Sequence, residues 1–118
     1  MAAEIRVALL GYGLAGRQFH APLISAEPRM TIHSIVTSNP DRRDQAIAHH
    51  PDARIFSTAE EVWANSSDID LVVIATANAA HVPQARAALE SGLTVIVDKP
   101  LAATADEALE LISLADQR

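Results

Sequence analysis

Cysteine is absent from this chain of 118 residues, which excludes a disulfide, a thiolate nucleophile and a cysteine-bound metal. Aromatic residues are scarce, with one tryptophan, one tyrosine and two phenylalanines, so alanine, valine, isoleucine and leucine must build the core. Basic residues are also few: 9 lysines and arginines stand against 15 aspartates and glutamates, and the formal net charge is −6. This balance argues against nucleic acid as a partner, because binding phosphate backbones needs a basic face.

Long apolar runs and targeting signals are missing too. The longest apolar stretch, residues 69–77, is too short to span a bilayer and is interrupted by Asp70. The N-terminal residues lack the zones of a signal peptide. No phosphate loop of the G-x-x-x-x-G-K-[ST] type occurs, and no acidic or histidine cluster has metal-ligand spacing. The sequence therefore predicts one soluble, cytoplasmic domain over residues 1–118, with no metal and no membrane partner.

A glycine-rich motif follows a short apolar run at residues 5–10 that is typical of a buried strand. The motif reads Gly11-Tyr12-Gly13-Leu14-Ala15-Gly16, with G-x-G-x-x-G spacing. Gly11 allows a tight turn, Gly13 lets the backbone approach a pyrophosphate, and Gly16 lets the helix lie close to the strand. The start of that helix offers free N–H groups and a positive dipole end to an anion. The motif predicts dinucleotide binding, and the alternative is a purely structural strand-to-helix turn.

Strands and helices alternate along the rest of the chain. Predicted strands cover residues 5–10, 30–37, 54–56, 71–75 and 94–97. Predicted helices cover residues 14–26, 41–49, 57–64, 81–91 and 104–117. Alternation with short connections is typical of a parallel sheet with helices on both faces. We therefore expect an α/β fold, a doubly wound parallel sheet of about five strands in three layers, ending before a sixth strand.

Several residues mark the ends of these helices. Pro22 lacks an N–H group and predicts a kink or a restart of the first helix. Gly92 ends the fourth helix. The predicted N-caps are Asn39 before Pro40, Ser57 paired with Glu60, and Thr104 paired with Glu107. The apolar side of the last helix is assigned to Leu109 and Ile112, with Leu111 as a further candidate.

Three stretches should meet beyond the carboxyl ends of the strands, where doubly wound sheets bind ligands. They are residues 11–16, the loop Thr76-Ala77-Asn78-Ala79-Ala80-His81 and the triplet Asp98-Lys99-Pro100. Asn78 either caps the following helix or contacts the cofactor, and these roles are compatible. His81 either faces solvent or faces the nicotinamide. Lys99 either hydrogen-bonds a substrate hydroxyl or a cofactor ribose, or is a solvated turn residue.

The end of the second strand carries no carboxylate to hold a ribose 2′-hydroxyl. Thr37 and Ser38 stand there instead, and both can donate to a 2′-phosphate. Arg42 or Arg43 could neutralise that phosphate, although both could also lie on a solvated helix face. The stretch favours NADP over NAD weakly.

These features together resemble the glucose–fructose oxidoreductase, inositol dehydrogenase and MocA family of oxidoreductases. The resemblance is carried by the glycine motif, Phe19-His20-Ala21-Pro22, the loop at residues 76–81 and Asp98-Lys99-Pro100. It implies a Rossmann domain that binds NAD or NADP and serves oxidoreduction of a sugar, cyclitol or similar polyol. It also implies that Lys99 is the catalytic residue, touching substrate and nicotinamide ribose, and that Pro100 follows a cis peptide which aims Lys99 into the cleft.

The chain departs from this family in two ways. Ala77 stands where the loop usually has proline. The second, substrate-binding domain of the family, which carries further catalytic residues and much of the homo-oligomer interface, is not contained in these 118 residues. We therefore expect the isolated chain to bind a dinucleotide and to turn over little or no substrate. The alternative is a stand-alone module that senses a dinucleotide without catalysis.

Overall fold

The computed structural model describes residues 4–98 and 104–117. Its five strands are β1 (Ile5–Leu10), β2 (Met30–Val36), β3 (Arg54–Phe56), β4 (Leu71–Ile74) and β5 (Thr94–Val97). All neighbouring strands run parallel, in the order β3-β2-β1-β4-β5. The chain therefore builds outward from β1 in one direction and then in the other, and the order reverses between β1 and β4. This arrangement confirms the predicted doubly wound sheet.

Helices cover both faces of this sheet. They are a π-helix (Ala15–His20), α1 (Ala21–Ala26), α2 (Pro40–His49), α3 (Ala59–Ala64), α4 (His81–Glu90) and α5 (Ala105–Asp116). Short 3₁₀ turns lie at Ser66–Asp68 and Asn78–Ala80. Residues of α3, α4 and α5 pack in one core, whereas residues of α1 and α2 pack in the other. The result is three layers, as the alternation of strands and helices predicts.

Strand β1 supplies both cores, since its side chains point alternately to opposite faces. Ala8 and Leu10 lie in the core beneath α3, α4 and α5, and Val7 and Leu9 lie in the core beneath α1 and α2. All four residues are fully buried. A strand covered on both faces is continuously apolar, which is why this run stands out in the sequence.

Strand β2 contains one irregular position. Val7 pairs with Ile32 and Ala8 pairs with Ser34, so His33 is an extra residue in β2. Burial lowers the pKa of His33 below its ordinary value of 6.5. Such a bulge bends the strand and increases its local twist.

The first helix changes type where Pro22 enters it. The N–H of Ala21 donates to the carbonyl of Gly16, five residues earlier, and α1 begins at that point. Pro22 occupies the first turn of α1, directly after the π-helix, and supplies no N–H to the helix. The predicted break near this proline is confirmed, and its form is a π-helix followed by an α-helix.

Two of the three predicted N-caps are confirmed. The Asn39 side chain accepts from the N–H groups of Asp41 and Arg42, at 3.0 and 3.1 Å. Thr104 accepts from the N–H of Glu107 at 3.2 Å. The pairing of Ser57 with Glu60 is wrong, because α3 begins one residue later, with Thr58 in the capping position and no side-chain capping bond.

The apolar side of α5 was also assigned wrongly. Leu109 and Ile112 are 61% and 51% exposed, whereas Leu111 is 4% exposed and packs in the core against α4. The sequence does not reveal which stripe of a largely apolar helix meets the sheet. No helix in the described part of the chain is long and apolar enough to cross a membrane.

Candidate functional site

The carboxyl ends of the strands form one continuous edge. Backbone hydrogen bonds extend the sheet by one residue beyond four strands, joining Gly11 to Val36, Thr37 to Phe56, Ala75 to Leu10 and Asp98 to Ile74, at 2.8–3.0 Å. The residues that follow β1, β2, β4 and β5 are therefore held at fixed positions. The three stretches predicted to converge do lie along this edge as far as Asp98, and Lys99 and Pro100 lie outside the described residues.

Two glycines are required by the turn after β1. Gly11 has φ +98°, and a Cβ there would lie 2.6 Å from the carbonyl oxygen of Ala75. A Cβ on Gly16 would overlap the carbonyl oxygen of Gly11. Because both obstacles are backbone atoms, neither can move aside cheaply. Both glycines thus serve the close packing of turn, helix and sheet.

Gly13 differs, because the space beside it is bounded by a side chain. A Cβ there would lie 3.4 Å from Cζ and Nη1 of Arg42, the charged end of an exposed arginine. The guanidinium of Arg42 therefore stands over the middle of the glycine-rich loop. The loop and this cation form a cradle that a side chain on Gly13 would fill.

A cleft along this edge has a volume of about 470 Å³. It contains seven of the predicted site residues: Gly11, Tyr12, Gly13, Thr37, Ser38, Arg42 and Thr76. Its far wall comes from residues that the sequence did not single out as ligands, including Ser57, Glu60 and Trp63 of the α3 region and Pro83 and Gln84 of α4. The signal for Ser57 was available, because it directly follows the carboxyl end of β3.

A smaller cavity of about 380 Å³ opens beside the glycine-rich loop. Leu14 lines it, together with Arg17 from the π-helix and with Asp41 and Arg42 from α2. Two cations and one carboxylate thus surround the loop at this point. Arg17 is a candidate ligand for an anion that sequence reasoning missed.

The end of β2 distinguishes the two neighbouring arginines. Thr37 is buried, and its hydroxyl accepts from the N–H of Asn39 at 3.3 Å, whereas Ser38 is exposed. The guanidinium of Arg43 donates to the carbonyl of Ile55 at 3.4 Å and so follows the edge strand β3. Of these two arginines, only Arg42 lines the cleft.

Tyr12 is buried beneath the loop that contains it, with 1% of its surface exposed. Burial raises the pKa of its hydroxyl, with Arg17 opposing the shift, so the hydroxyl stays protonated. It forms a hydrogen bond of 2.7 Å with Nδ1 of His49, the last residue of α2. Tyr12 therefore ties the glycine-rich loop to the helix that carries Arg42.

The loop after β4 is held by side chains of α4. The Thr76 hydroxyl donates to Oε1 of Gln84 at 2.6 Å. His81 is 1% exposed, and its Nε2 donates to the carbonyl of Thr76 at 2.9 Å. The solvent-facing position considered for His81 is therefore wrong, and the ring supports the loop from below. Asn78 begins the 3₁₀ turn that leads into α4.

The far end of the edge brings a histidine and a carboxylate close together. Nε2 of His20, at the end of the π-helix, lies 3.6 Å from Oδ1 of Asp98, the residue after β5. Asp98 was predicted to contact cofactor, whereas His20 appeared only as part of a motif. Within residues 4–98 and 104–117, no group of three or more acidic, histidine or cysteine residues is arranged to hold a metal.

Known proteins share this fold. The sequence profile of the oxidoreductase family with an NAD-binding Rossmann fold, named for glucose–fructose oxidoreductase, inositol dehydrogenase and MocA, matches residues 5–118. The chain belongs to this family. It is the family's NAD-binding Rossmann domain, which confirms the predicted dinucleotide-binding fold.

Individual relatives agree with this assignment. The chain is 41% identical to the uncharacterized oxidoreductase YdgJ of Escherichia coli over 98% of its own length and 32% of the relative's. It is 35% identical to the scyllo-inositol 2-dehydrogenase (NADP(+)) IolW of Bacillus subtilis, over 97% of this chain and 31% of that protein. A crystal structure of the WlbA dehydrogenase from Bordetella pertussis, in complex with NADH and UDP-GlcNAcA, superposes with TM-score 0.87 and 27% identity, covering 97% and 35% of the two chains.

The chain thus spans about a third of the length of the relatives it matches. Members of this family use both cofactors, since NADP(+) is named for one relative and NADH is bound in another. Family membership therefore supports an NAD(P)-type dinucleotide and shows no preference between NAD and NADP.

Proposed function

We propose that this domain binds NADP(H) in preference to NAD(H), as the cofactor-binding part of an oxidoreductase that interconverts a hydroxyl and a carbonyl on a sugar, cyclitol or similar polyol. The observation that carries the proposal is the guanidinium of Arg42 over Gly13, at the junction of the glycine-rich loop and the end of β2. A bound dinucleotide would supply or accept the hydride. The domain's own residues bind it and orient it.

The residues present fit such a group. At Gly13 the glycine-rich loop faces the guanidinium of Arg42, and Arg17 and Arg42 line the cavity beside it. A pyrophosphate brings negative charge to this place, where N–H groups at the start of a helix and two cations are favourable partners. The net charge of the chain is −6, so this concentration of positive charge is local.

The preference for NADP(H) rests on what borders the end of β2. Dinucleotide-binding domains that select NAD place a carboxylate there for the ribose 2′-hydroxyl, whereas an arginine accommodates a 2′-phosphate. Here the exposed Ser38 and the guanidinium of Arg42 both line the cleft. A hydroxyl and a guanidinium both donate to phosphate oxygens, so they suit the phosphorylated cofactor.

The chemistry of the whole enzyme stays a proposal, because the chain covers about a third of its relatives. Lys99, with Pro100 next to it, is proposed to contact the substrate hydroxyl and the nicotinamide ribose. Thr76, Asn78 and His81 are proposed to contact or support the cofactor from the loop after β4. The cytoplasmic location, the homo-oligomer and the substrate-binding domain remain predictions.

Isothermal titration calorimetry with NADPH and NADH tests the proposal. We expect the chain to bind NADPH more tightly than NADH. The variant Arg42→Ala should weaken NADPH binding about ten- to a hundredfold, as loss of a charge-assisted hydrogen bond predicts, and should weaken NADH binding clearly less, because NADH shares the pyrophosphate but lacks the 2′-phosphate.

Arg43→Ala is the matched control, because it removes the same charge from the next residue, whose guanidinium points to Ile55. It should change neither affinity by more than about twofold. Equal loss of NADPH and NADH binding in Arg42→Ala would contradict the assigned preference. Failure of the unmodified chain to bind either dinucleotide would contradict the proposed function itself.

A further inference from the structure

The pair formed by His20 and Asp98 joins two segments that are far apart in sequence. His20 ends the π-helix that leaves the glycine-rich loop, and Asp98 follows β5 on the other side of the sheet. Their side chains are only 22% and 38% exposed, and the Nε2–Oδ1 distance is 3.6 Å. The pair therefore bridges the junction between the π-helix and α1 and the strand end that leads to Lys99.

Both partners are fixed by the backbone that carries them. The N–H of Asp98 donates to the carbonyl of Ile74 at 2.9 Å, which holds the residue in line with the sheet. His20 lies at the last position of a wide helical turn, whose closing hydrogen bond spans five residues, from Ala21 to Gly16. Because a π-turn contains one residue more than an α-turn with the same start, it rotates the following side chains to a different direction.

The place of this pair along the edge indicates which part of a dinucleotide it serves. The proposed 2′-phosphate site lies at the end of β2, on one side of β1, so the adenosine half lies there. The nicotinamide half then extends across β1 toward β4 and β5. Asp98 and His20 lie on that second side.

We propose that His20 is a positioning residue for the nicotinamide-ribose half of the cofactor, because its ring holds the Asp98 carboxylate at the end of β5. This inference rests on the proposed function. Oδ1 is the carboxylate oxygen of Asp98 that faces Nε2 of His20, at 3.6 Å. Ribose hydroxyls are donors and a carboxylate is an acceptor with two oxygens, so Oδ2 is suited to receive one of them.

The imidazole has a second effect in this place. A carboxylate alone at the binding edge repels the negatively charged pyrophosphate, and the imidazole, with Nε2 at 3.6 Å from Oδ1, places a polar ring beside one of its oxygens. The cofactor thus faces a carboxylate whose orientation the neighbouring imidazole restricts. Removing His20 should weaken the contact to the ribose without affecting the adenosine half.

The test compares a complete dinucleotide with its adenosine fragment by calorimetry on the full chain. The pairs are NADPH with adenosine 2′,5′-bisphosphate, or NADH with ADP if NADH binds more tightly. His20→Ala should lower the affinity for the dinucleotide about three- to tenfold, the loss expected for one hydrogen bond. It should change the affinity for the adenosine fragment by no more than about twofold. His20→Gln, which keeps an N–H donor, should recover at least half of that loss in free energy.

Gln18→Ala is the matched control, since Gln18 is an exposed polar residue of the same π-helix. It should leave both affinities unchanged. Asp98→Asn should lower the affinity for the dinucleotide. The double variant with Asp98→Asn and His20→Ala should lose little more affinity than Asp98→Asn alone, because both substitutions remove the same contact.

Three results would overturn the inference. They are equal loss of dinucleotide and fragment in His20→Ala, no loss of either, and no rescue by His20→Gln while thermal melting shows a folded variant. In each of these the unmodified chain still binds dinucleotide, so the proposed function survives. An unmodified chain that binds neither ligand overturns both.

Discussion

The three glycines of the loop after β1 should respond differently to the same added methyl group. Gly13→Ala places its Cβ 3.4 Å from the guanidinium of Arg42, the far end of a flexible and exposed side chain that can move aside. Gly11→Ala forces alanine to φ +98° and to 2.6 Å from the carbonyl oxygen of Ala75. Gly16→Ala overlaps the carbonyl oxygen of Gly11, which is backbone and belongs to the turn itself.

These contacts set the expected magnitudes. Left-handed backbone costs alanine about 1–2 kcal/mol, and overpacking against fixed atoms costs about 1–3 kcal/mol, so Gly11→Ala and Gly16→Ala should each destabilise the chain by about 2 kcal/mol or more. Gly13→Ala should change the free energy of unfolding by less than about 1 kcal/mol, and alanine's lower freedom in the unfolded chain favours a small gain. The same variant should lose at least about tenfold in dinucleotide affinity, because the methyl group fills the cradle for the pyrophosphate.

Urea denaturation followed by circular dichroism gives the stability of each variant, and calorimetry with NADPH gives its affinity. A larger side chain, as in Gly13→Val, should abolish binding in a chain that still folds. The reasoning would be refuted by a Gly13→Ala variant as unstable as Gly16→Ala, or by one that binds NADPH as tightly as the unmodified chain.

Two further predictions concern stability. Burial lowers the pKa of His33 below its ordinary 6.5, so the unfolded chain binds more protons than the folded chain near that pH. The free energy of unfolding should therefore fall as the pH is lowered through 6.5. It should level off below the pKa that His33 has in the folded chain. Urea melts at pH 7.5 and 5.5 measure this, and His33→Gln should reduce the slope; an unchanged slope would place its origin elsewhere, for example at His50, whose pKa burial also lowers. Leu111→Ala should lower the free energy of unfolding by about 2–5 kcal/mol, whereas Leu109→Ala should change it by no more than about 0.5 kcal/mol. Thermal melts that show comparable losses for the two variants would contradict the finding that Leu111 is buried and Leu109 exposed.

Strand and helix order could be predicted from the sequence because the central strands β1 and β4 contain continuous apolar runs. The run from Leu71 to Ile74, for example, is buried at every position. Caps were predictable where one residue type supplies the missing acceptor, as at Asn39 and Thr104. The cap at Ser57 failed because Thr58, an equally suitable residue, stands next to it and the sequence does not decide between them.

The long-range parts of the site were less accessible to sequence reasoning. Gly11, Gly13 and Arg42 could be named from a motif and from charge, but the guanidinium's position over Gly13 depends on how α2 packs. The burial of His81 and the pairing of His20 with Asp98 join residues whose sequence surroundings contain no sign of each other. Such contacts depend on the sheet order and on the π-turn, which only the folded chain determines.

The hydrogen bond between Tyr12 and His49 has a consequence for how tightly a ligand can be held. A segment with glycine at three of six positions has little tendency to keep one shape, and a flexible loop must lose its freedom when it closes on a ligand. The buried ring of Tyr12, anchored at 2.7 Å to the end of α2, restricts the loop already in the free protein. The ordering is thus completed during folding, and the full strength of the phosphate contacts remains available for affinity.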